Sequence, residues 1–244
     1  MSISRDCGAL RIVEAMVPMT AKPGAAKAGT ASRPTKLISW NLLHKGGAQV
    51  AEVADLIARE KPDAMLMQEA TAELERVTDL VGGAMTRTPL PGRRHGLAIW
   101  TPRAPAAPAE TFELPKGAIV SRICQTVDLG AFSIANVHLS HGQRLNRLQL
   151  HFISRLLPLR AAIMGDFNLV GPALLEGFRD VGLRRHTHRA SGLLRLRLDR
   201  CLIRDLTCTE AQVLARGTSD HHPILVTLEP PSEIRQKKPR RGVA

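Results

Sequence analysis

"AAIMGDFN", residues 161–168, is a run of four apolar residues that ends in Gly165, Asp166, Phe167 and Asn168. Such a run suits a buried strand and is too short for a helix. A core has no use for a carboxylate and an amide at a strand's tip, but the loops that follow strands are where α/β proteins place function. The pattern recurs outward along the chain. "TKLISWN" ends in Trp40-Asn41, "AMLMQE" in Gln68-Glu69, and "SIANVHL" holds Asn136-Val137-His138. "LLRLRLDRCLIR" sets Asp199 inside a strand, and "TSDHHPIL", residues 218–225, sets Asp220-His221-His222 just before one.

Helical periods lie between these strands. "AQVAEVADLIARE" places Val50, Val53, Ala54, Ile57 and Ala58 on one face and is stopped by Pro62-Asp63. "AELERVTDLVGG" reads as a helix closed by glycine, and "QRLNRLQLHFISRLL" as one with Leu145, Leu148, Phe152 and Leu156 inward. "GLAIWT" is a strand, 102–110 a loop, and "AIVSRICQTVDLGAFSIANVHL" two strands joined near 128–130. "CTEAQVLAR" and "PILVTLEP" finish as strands. Strands outnumber helices and interleave with them irregularly, which predicts one α/β domain with mixed sheets. It is expected over 35–230. Residues 1–34 form a flexible leader, rich in Ala, Gly, Lys and Pro from residue 19, with Met19 a second candidate start. Residues 231–244 form a basic, flexible tail.

At 244 residues the chain is long enough for a sizeable core. Aromatics are 3% of it and tyrosine is absent, which argues against readers that stack bases on aromatic platforms. The net charge is +12. The tail carries +4 and the leader +3, leaving +5 for the domain. The charge points to a polyanionic partner; a solubilising tail is the other reading. Four cysteines without a CxxC pair argue against zinc or thioredoxin-type chemistry and for reduced thiols in a cytoplasmic protein. No apolar run approaches a membrane span.

Each polar tip alone has an ordinary reading: a turn or cap for Asn41, a helix-start acid for Glu69, a core imidazole for His138, an Asx turn for Asp166 and Asn168, a surface ion pair for Asp199. Together they suit phosphate-ester hydrolysis. Glu69, Asp220 and the Asn41 amide are hard oxygen donors for Mg²⁺ or Mn²⁺. Asp166 suits water activation, Asn168 a donor to a phosphoryl oxygen, and His138 and His221 donors of hydrogen bonds or protons. Asp199 would hold a catalytic imidazole in one tautomer.

The ordered set "SWN", "MQE", "NVHLS", "GDFN", "LDRCLI" and "SDHHP" resembles the endonuclease/exonuclease/phosphatase superfamily over about residues 36–226. The resemblance implies a four-layered α/β sandwich, two packed mixed sheets flanked by helices, with the site at one edge. It implies metal-site roles for Asn41 and Glu69, water activation by Asp166, phosphate holding by Asn168, and orientation of the closing histidine by Asp199. It also selects His221 over His222 from the Asp220-His221-His222 run. His138 matches the branches that carry a histidine there.

Two departures stand out. Arg200 stands where an aromatic residue is usual, which sets a cation where a ring would line the site. The loops are short, against prising apart a damaged duplex. Arg197 and Arg200 are expected to bind substrate within an arginine-rich stretch, 184–204, whose other reading is a solvated basic face. "PGRRHG", residues 91–96, is a similar candidate, while His186 and His188 read as surface residues.

The expected function is a divalent-metal-dependent phosphodiesterase, a nuclease acting on DNA. The alternative is a phosphatase, or a phospholipid or inositol-phosphate phosphodiesterase, of the same superfamily. A binding protein that has lost catalysis is opposed by the filled polar positions. The chain is expected to be a monomer.

Overall fold

The computed structural model describes residues 33–117, 120–190 and 194–231. The expected leader and tail lie outside these residues, apart from 33–34 and 231. Along the chain run β1 (Thr35–Asn41), α1 (Val50–Glu60), β2 (Ala64–Ala70), a 3₁₀ turn (Ala72–Arg76), α2 (Val77–Val81), β3 (Ala84–Pro89) and β4 (Gly96–Thr101). Then come β5 (Glu110–Glu113), β6 (Ile123–Asp128), β7 (Ser133–His138), α3 (Gln143–Leu156), β8 (Ala161–Asp166) and β9 (Arg179–Asp180). The described part closes with β10 (His188–Ala190), β11 (Leu194–Leu196), β12 (Asp199–Arg204), β13 (Thr207–Val213) and β14 (Ile224–Glu229).

Two mixed six-stranded sheets carry the fold, in the orders β13-β14-β1-β2-β4-β3 and β5-β6-β7-β8-β12-β9, beside a β10-β11 ribbon. Each has one parallel pair near its middle, β1 with β2 and β7 with β8. Leu37, Leu66, Ile134, Met164, Cys201 and Val226 pack together between the sheets. Val53, Leu56 and Ile57 of α1 cover the outer face of the first sheet, against Ile38, Met65, Met67 and Leu225. Leu150 and Ile153 of α3 cover the outer face of the second, against Val137, Ile163 and Leu202. The result is the four-layered α/β sandwich.

Strand alternation positions the site. On the inward face β1 presents Leu37, Ser39 and Asn41, β2 presents Leu66 and Gln68, β7 presents Ile134, Asn136 and His138, and β8 presents Ala162, Met164 and Asp166. Each series runs from apolar to polar, and three of the four end in a functional tip. Parallel register sets Asn41 beside Gln68 and His138 beside Asp166, so the polar ends of both sheets share one edge.

Several local expectations are corrected. The buried positions of α3 include Asn146, Gln149, Leu150 and Ile153, while Leu148 is exposed. The helix turns two polar residues inward because they hold neighbouring loops: Asn146 donates to the Phe167 and Ser140 carbonyls, and Gln149 bonds Ser140 and the Pro115 carbonyl. In α1, Leu56 is buried and Ala58 exposed. The "LLRLRLDRCLIR" stretch splits into β11 and β12, because the chain leaves the ribbon and joins the main sheet. β3 and β5 are strands the periodicity does not announce; both end the sheets and are only partly buried.

Candidate active site

Asp166, at the end of β8, is 1% exposed and stands at the centre. Its Oδ2 accepts from Asn41 Nδ2 at 3.0 Å and faces His138 Nε2 at 3.4 Å and His221 Nε2 at 3.8 Å. Its Oδ1 accepts from the Asn168 N–H at 2.9 Å, an Asx turn that shapes the loop. Gly165 makes room for this arrangement: its φ is +150°, and a Cβ there would lie 2.0 Å from the Val137 carbonyl oxygen. Asn168 has φ +49° and donates its amide to the Leu139 carbonyl at 3.0 Å, which ties the β8 tip to the β7 tip.

Behind His221 sits Asp199, whose Oδ2 lies 2.8 Å from His221 Nδ1. Thr187 Oγ1 accepts from the N–H groups of Leu198 and Asp199, both at 3.0 Å, and so fixes the start of β12. The His221 backbone is held by the Ser219 hydroxyl and by Trp40 Nε1, which donates to its carbonyl at 3.0 Å. Ser219 in turn donates to the Asn41 carbonyl at 2.7 Å.

Glu69 follows the inward Gln68 and by simple alternation would face α1. A positive φ of 56° and a register shift between Gln68 and Ala70 turn it to the site edge instead. There it accepts from the His44 N–H at 3.1 Å and pairs with His44 Nδ1, and the His44 ring stacks on His95 at 3.7 Å. Asp220 lies 3.4 Å from His188 Nε2, and His188 packs on His221 with ring centroids 4.4 Å apart.

Asn41, Glu69, His138, Asp166, Asn168, Asp220 and His221 therefore line one cavity of about 530 Å³, with Asp199 directly behind His221. Lys45, Arg93, His95 and Arg122 also line it. Arg197 and Arg200 do not, and their expected role in binding substrate is corrected. Arg197 is bound to Asp180 and to the Gly182 and Leu183 carbonyls. Arg200 is bound to Asp180 and to the Leu169, Gly171 and Arg197 carbonyls. The reason is alternation: Asp199, Cys201 and Ile203 face inward, so Arg200 and Leu202 face out. His188 is corrected in the opposite sense, from surface residue to cavity wall. Only the pairing of β10 brings it there, so no local signal marked it. His44 and His95 were also missed, although "PGRRHG" was singled out.

The electrostatics separate the two central imidazoles. Burial drives the His138 pKa down to about 4 despite the Asp166 charge, so it is neutral at pH 7. Burial also opposes charge on His221, but Asp199, through charge and hydrogen bond, raises it to about 9, so it is an imidazolium. For Asp166, burial is outweighed by the two imidazoles, the Asn168 N–H and the Asn41 amide, and its pKa is lowered. Glu69 is likewise lowered against burial, by His138 and His44. Burial raises Asp199.

A family model described as the Endonuclease/Exonuclease/phosphatase family matches residues 38–221. Solved structures share the architecture. One is an endonuclease/exonuclease/phosphatase from Bacteroides vulgatus, at TM-score 0.69 and 16% identity over 82% of this chain and 100% of that one. Another is TDP2 of D. rerio in complex with a single-strand DNA product, at TM-score 0.65 and 19% identity over 81% and 100%. A third is a mannosyl-6-phosphatase of Bacteroides thetaiotaomicron, at TM-score 0.64 and 19% identity over 80% and 99%. No curated protein matches the chain.

Proposed function

The chain belongs to the endonuclease/exonuclease/phosphatase family and is a phosphoester hydrolase, and from that premise we propose a divalent-metal-dependent nuclease that acts on DNA. The observation that carries the polyanion is a run of adjoining cavities. His188 lines both the active-site cavity and a second of about 640 Å³ bordered by Arg184, Arg185, Arg189 and Arg195. On another side the active-site cavity shares His44, Arg93 and His95 with a third, which also includes Arg94. A strand laid through them would meet cations on both sides of Asp166. A phosphomonoester would use only the middle.

The donor set fits a hard divalent cation. Glu69 and Asn41 line the same cavity; the Asn41 amide oxygen accepts from the Leu43 N–H at 3.1 Å and keeps a second lone pair, and one or two such oxygens, completed by water and substrate oxygens, are what Mg²⁺ takes. Asp220 is the third proposed ligand, with His188 and His221 beside it. Bound there, Mg²⁺ or Mn²⁺ would neutralise charge on the phosphoryl and departing oxygens.

The chain's own groups supply the rest. Asp166, kept ionised and fixed by Asn41 and Asn168, orients and deprotonates the attacking water. His221, held protonated by Asp199, donates to a phosphoryl oxygen. Neutral His138 adds a second hydrogen bond, and the remaining Asn168 amide hydrogen a third. Among the described residues no helix is long and apolar enough to cross a membrane. The free thiols Cys124, Cys201 and Cys208 support a cytoplasmic location, and the reading takes the chain as a monomer.

The test is hydrolysis of DNA, with Mg²⁺ supplied, across a salt series. DNA affinity should fall with a log-log slope of about −0.9 per phosphate contacted on a duplex, or about −0.7 on a single strand. Salt-insensitive binding, or turnover of phosphomonoesters but not DNA, would replace the nuclease with a phosphatase.

A further inference from the structure

Glu69 and Asp220, two of the proposed metal donors, each stand beside an imidazole in the active-site cavity, and the two pairs differ. Glu69 is hydrogen-bonded to His44, through the backbone N–H at 3.1 Å and the ring Nδ1, so His44 orients it. Asp220 Oδ2 instead lies 3.4 Å from His188 Nε2, past the normal range of a hydrogen bond. Asp220 Oδ1 and His188 Nδ1 are both buried without a partner. Among the described residues this is the one ion pair in which each side chain leaves a buried atom unmatched.

Backbone pairing builds the arrangement. The Arg189 N–H donates to the Asp220 carbonyl at 3.0 Å, and the His222 N–H to the Thr187 carbonyl at 2.7 Å. Residues 187–189 and 220–222 are thereby laced together, with His188 opposite His221. Ligand atoms of His188, Asp220 and His221 all fall within 4.8 Å of one another. The Nδ1 of His221 is taken by Asp199, whereas no acceptor fixes the tautomer of His188, whose Nε2 can present a lone pair toward Asp220. Two donors about 2.1 Å from one ion, at angles of about 90–110°, stand about 3.0–3.4 Å apart. The His188–Asp220 separation therefore suits two ligands of one ion better than a donor and its acceptor.

A nitrogen changes which ion is held. Oxygen donors serve Mg²⁺ and Mn²⁺ alike, but Mg²⁺ keeps to oxygen, while affinity for nitrogen donors rises along the first-row divalent series. We propose that His188 is a metal ligand that joins Asp220 at the ion and makes the site prefer a first-row transition ion, tested as Mn²⁺, to Mg²⁺. The inference rests on the reading of Asn41, Glu69 and Asp220 as metal donors, and does not depend on which phosphoester is natural.

The full chain and its H188Q and E69Q variants, stripped of metal, would be titrated by calorimetry with Mn²⁺ and separately with Mg²⁺. Pulsed electron paramagnetic resonance of the Mn²⁺-loaded chains would detect a nitrogen bound to the ion, and thermal melting would report folding. The unaltered chain should bind Mn²⁺ more tightly than Mg²⁺ and show the nitrogen coupling. H188Q should lose the coupling and at least about 10-fold in Mn²⁺ affinity, with its Mg²⁺ affinity and metal-free melting little changed. E69Q should weaken both ions and keep the coupling.

Mn²⁺ bound by the unaltered chain without nitrogen coupling would overturn the assignment, whatever the variants do. So would a coupling that survives in H188Q, which would belong to His138 or His221, or an equal loss of both ions in H188Q. Failure of the unaltered chain to bind either ion would defeat the metal reading of the site itself, and His188 with it.

Discussion

Replacing Asp199 by asparagine removes one charge and keeps the shape. The carboxylate lies 2.8 Å from His221 Nδ1, and both groups are buried. The pair raises His221 from an ordinary 6.5 to about 9 against the pull of burial. That difference is on the order of 3 kcal/mol in favour of the imidazolium. At pH 7.5 about 97% of His221 is protonated in the unaltered chain; at its ordinary value the fraction is about 9%, and burial takes it lower. D199N should therefore lose at least about tenfold in turnover at pH 7.5 from protonation alone, within a total of about 10²–10⁴ when misorientation of the ring is included. The sign is fixed by the raised value. The pair's contribution is complete below pH 6.5 and is lost as pH rises through about 9, so the alkaline limb of the rate profile should move toward acid in D199N. Carbon-detected NMR of the His221 ring in the metal-free protein reads the titration directly. A ring that still titrates near 9 in D199N, or turnover within a few-fold of normal at pH 7.5, would refute this account of the Asp199–His221 pair.

Asp166→Asn should cut turnover by about 10²–10⁴ while melting close to normal, because the amide retains the bond from Asn168; near-normal turnover would remove Asp166 as the activating base. EDTA should abolish activity, and Glu69→Gln should weaken Mg²⁺ binding in calorimetry. His44→Ala should weaken it by about 10-fold through loss of the group that orients Glu69; activity that survives EDTA ends the metal assignment. Arg200→Leu should lower stability by about 1–3 kcal/mol in denaturant unfolding, because it removes one of the two arginines on Asp180 and the donor to the Leu169 and Gly171 carbonyls, yet leave KM per folded molecule unchanged; a raised KM with normal stability would restore Arg200 to substrate binding.

What the sequence made legible follows from periodicity. Asn41, His138 and Asp166 each end an apolar strand on the inward phase, and a period of two carries that information in the letters alone. Glu69 was found for a different reason. Its motif marks it, although its phase is wrong, and the left-handed backbone that corrects the phase has no signature beyond the register shift it causes. Arg200 went the opposite way: its neighbour Asp199 already fixed the outward phase, against the expectation that a cation at the usual aromatic position, within an arginine-rich stretch, would line the site. In α3 the apolar letters favoured Leu148, but Asn146 and Gln149 are needed inside as hydrogen-bond partners for Ser140 and Phe167. Hydrophobic periodicity cannot show that a polar side chain is buried in order to hold a loop. His188, His44 and Arg122 depend on pairings between distant segments, which spacing along the chain does not encode.

The layer between the apolar core and the site explains why these tips hold still. Ser39, Gln68, Asn136 and Gln125 are all fully buried and span the two sheets. Gln68 donates to Ser39 at 3.0 Å and to Asn136 at 2.8 Å, while Asn136 donates to the Met67 and Ala98 carbonyls of the first sheet. A buried amide is tolerated only in the geometry that satisfies it, so these bonds set the two sheets in one register where apolar contact alone would allow sliding. Sliding by a single residue would turn Asn41 away from Asp166 and reverse the inward phase of the strand that moved. Asn41 and His138 sit one inward position beyond this layer, on strands whose register it fixes. The 3.0 Å contact from the first sheet to Asp166 in the second is thus a consequence of amides that touch neither metal nor substrate.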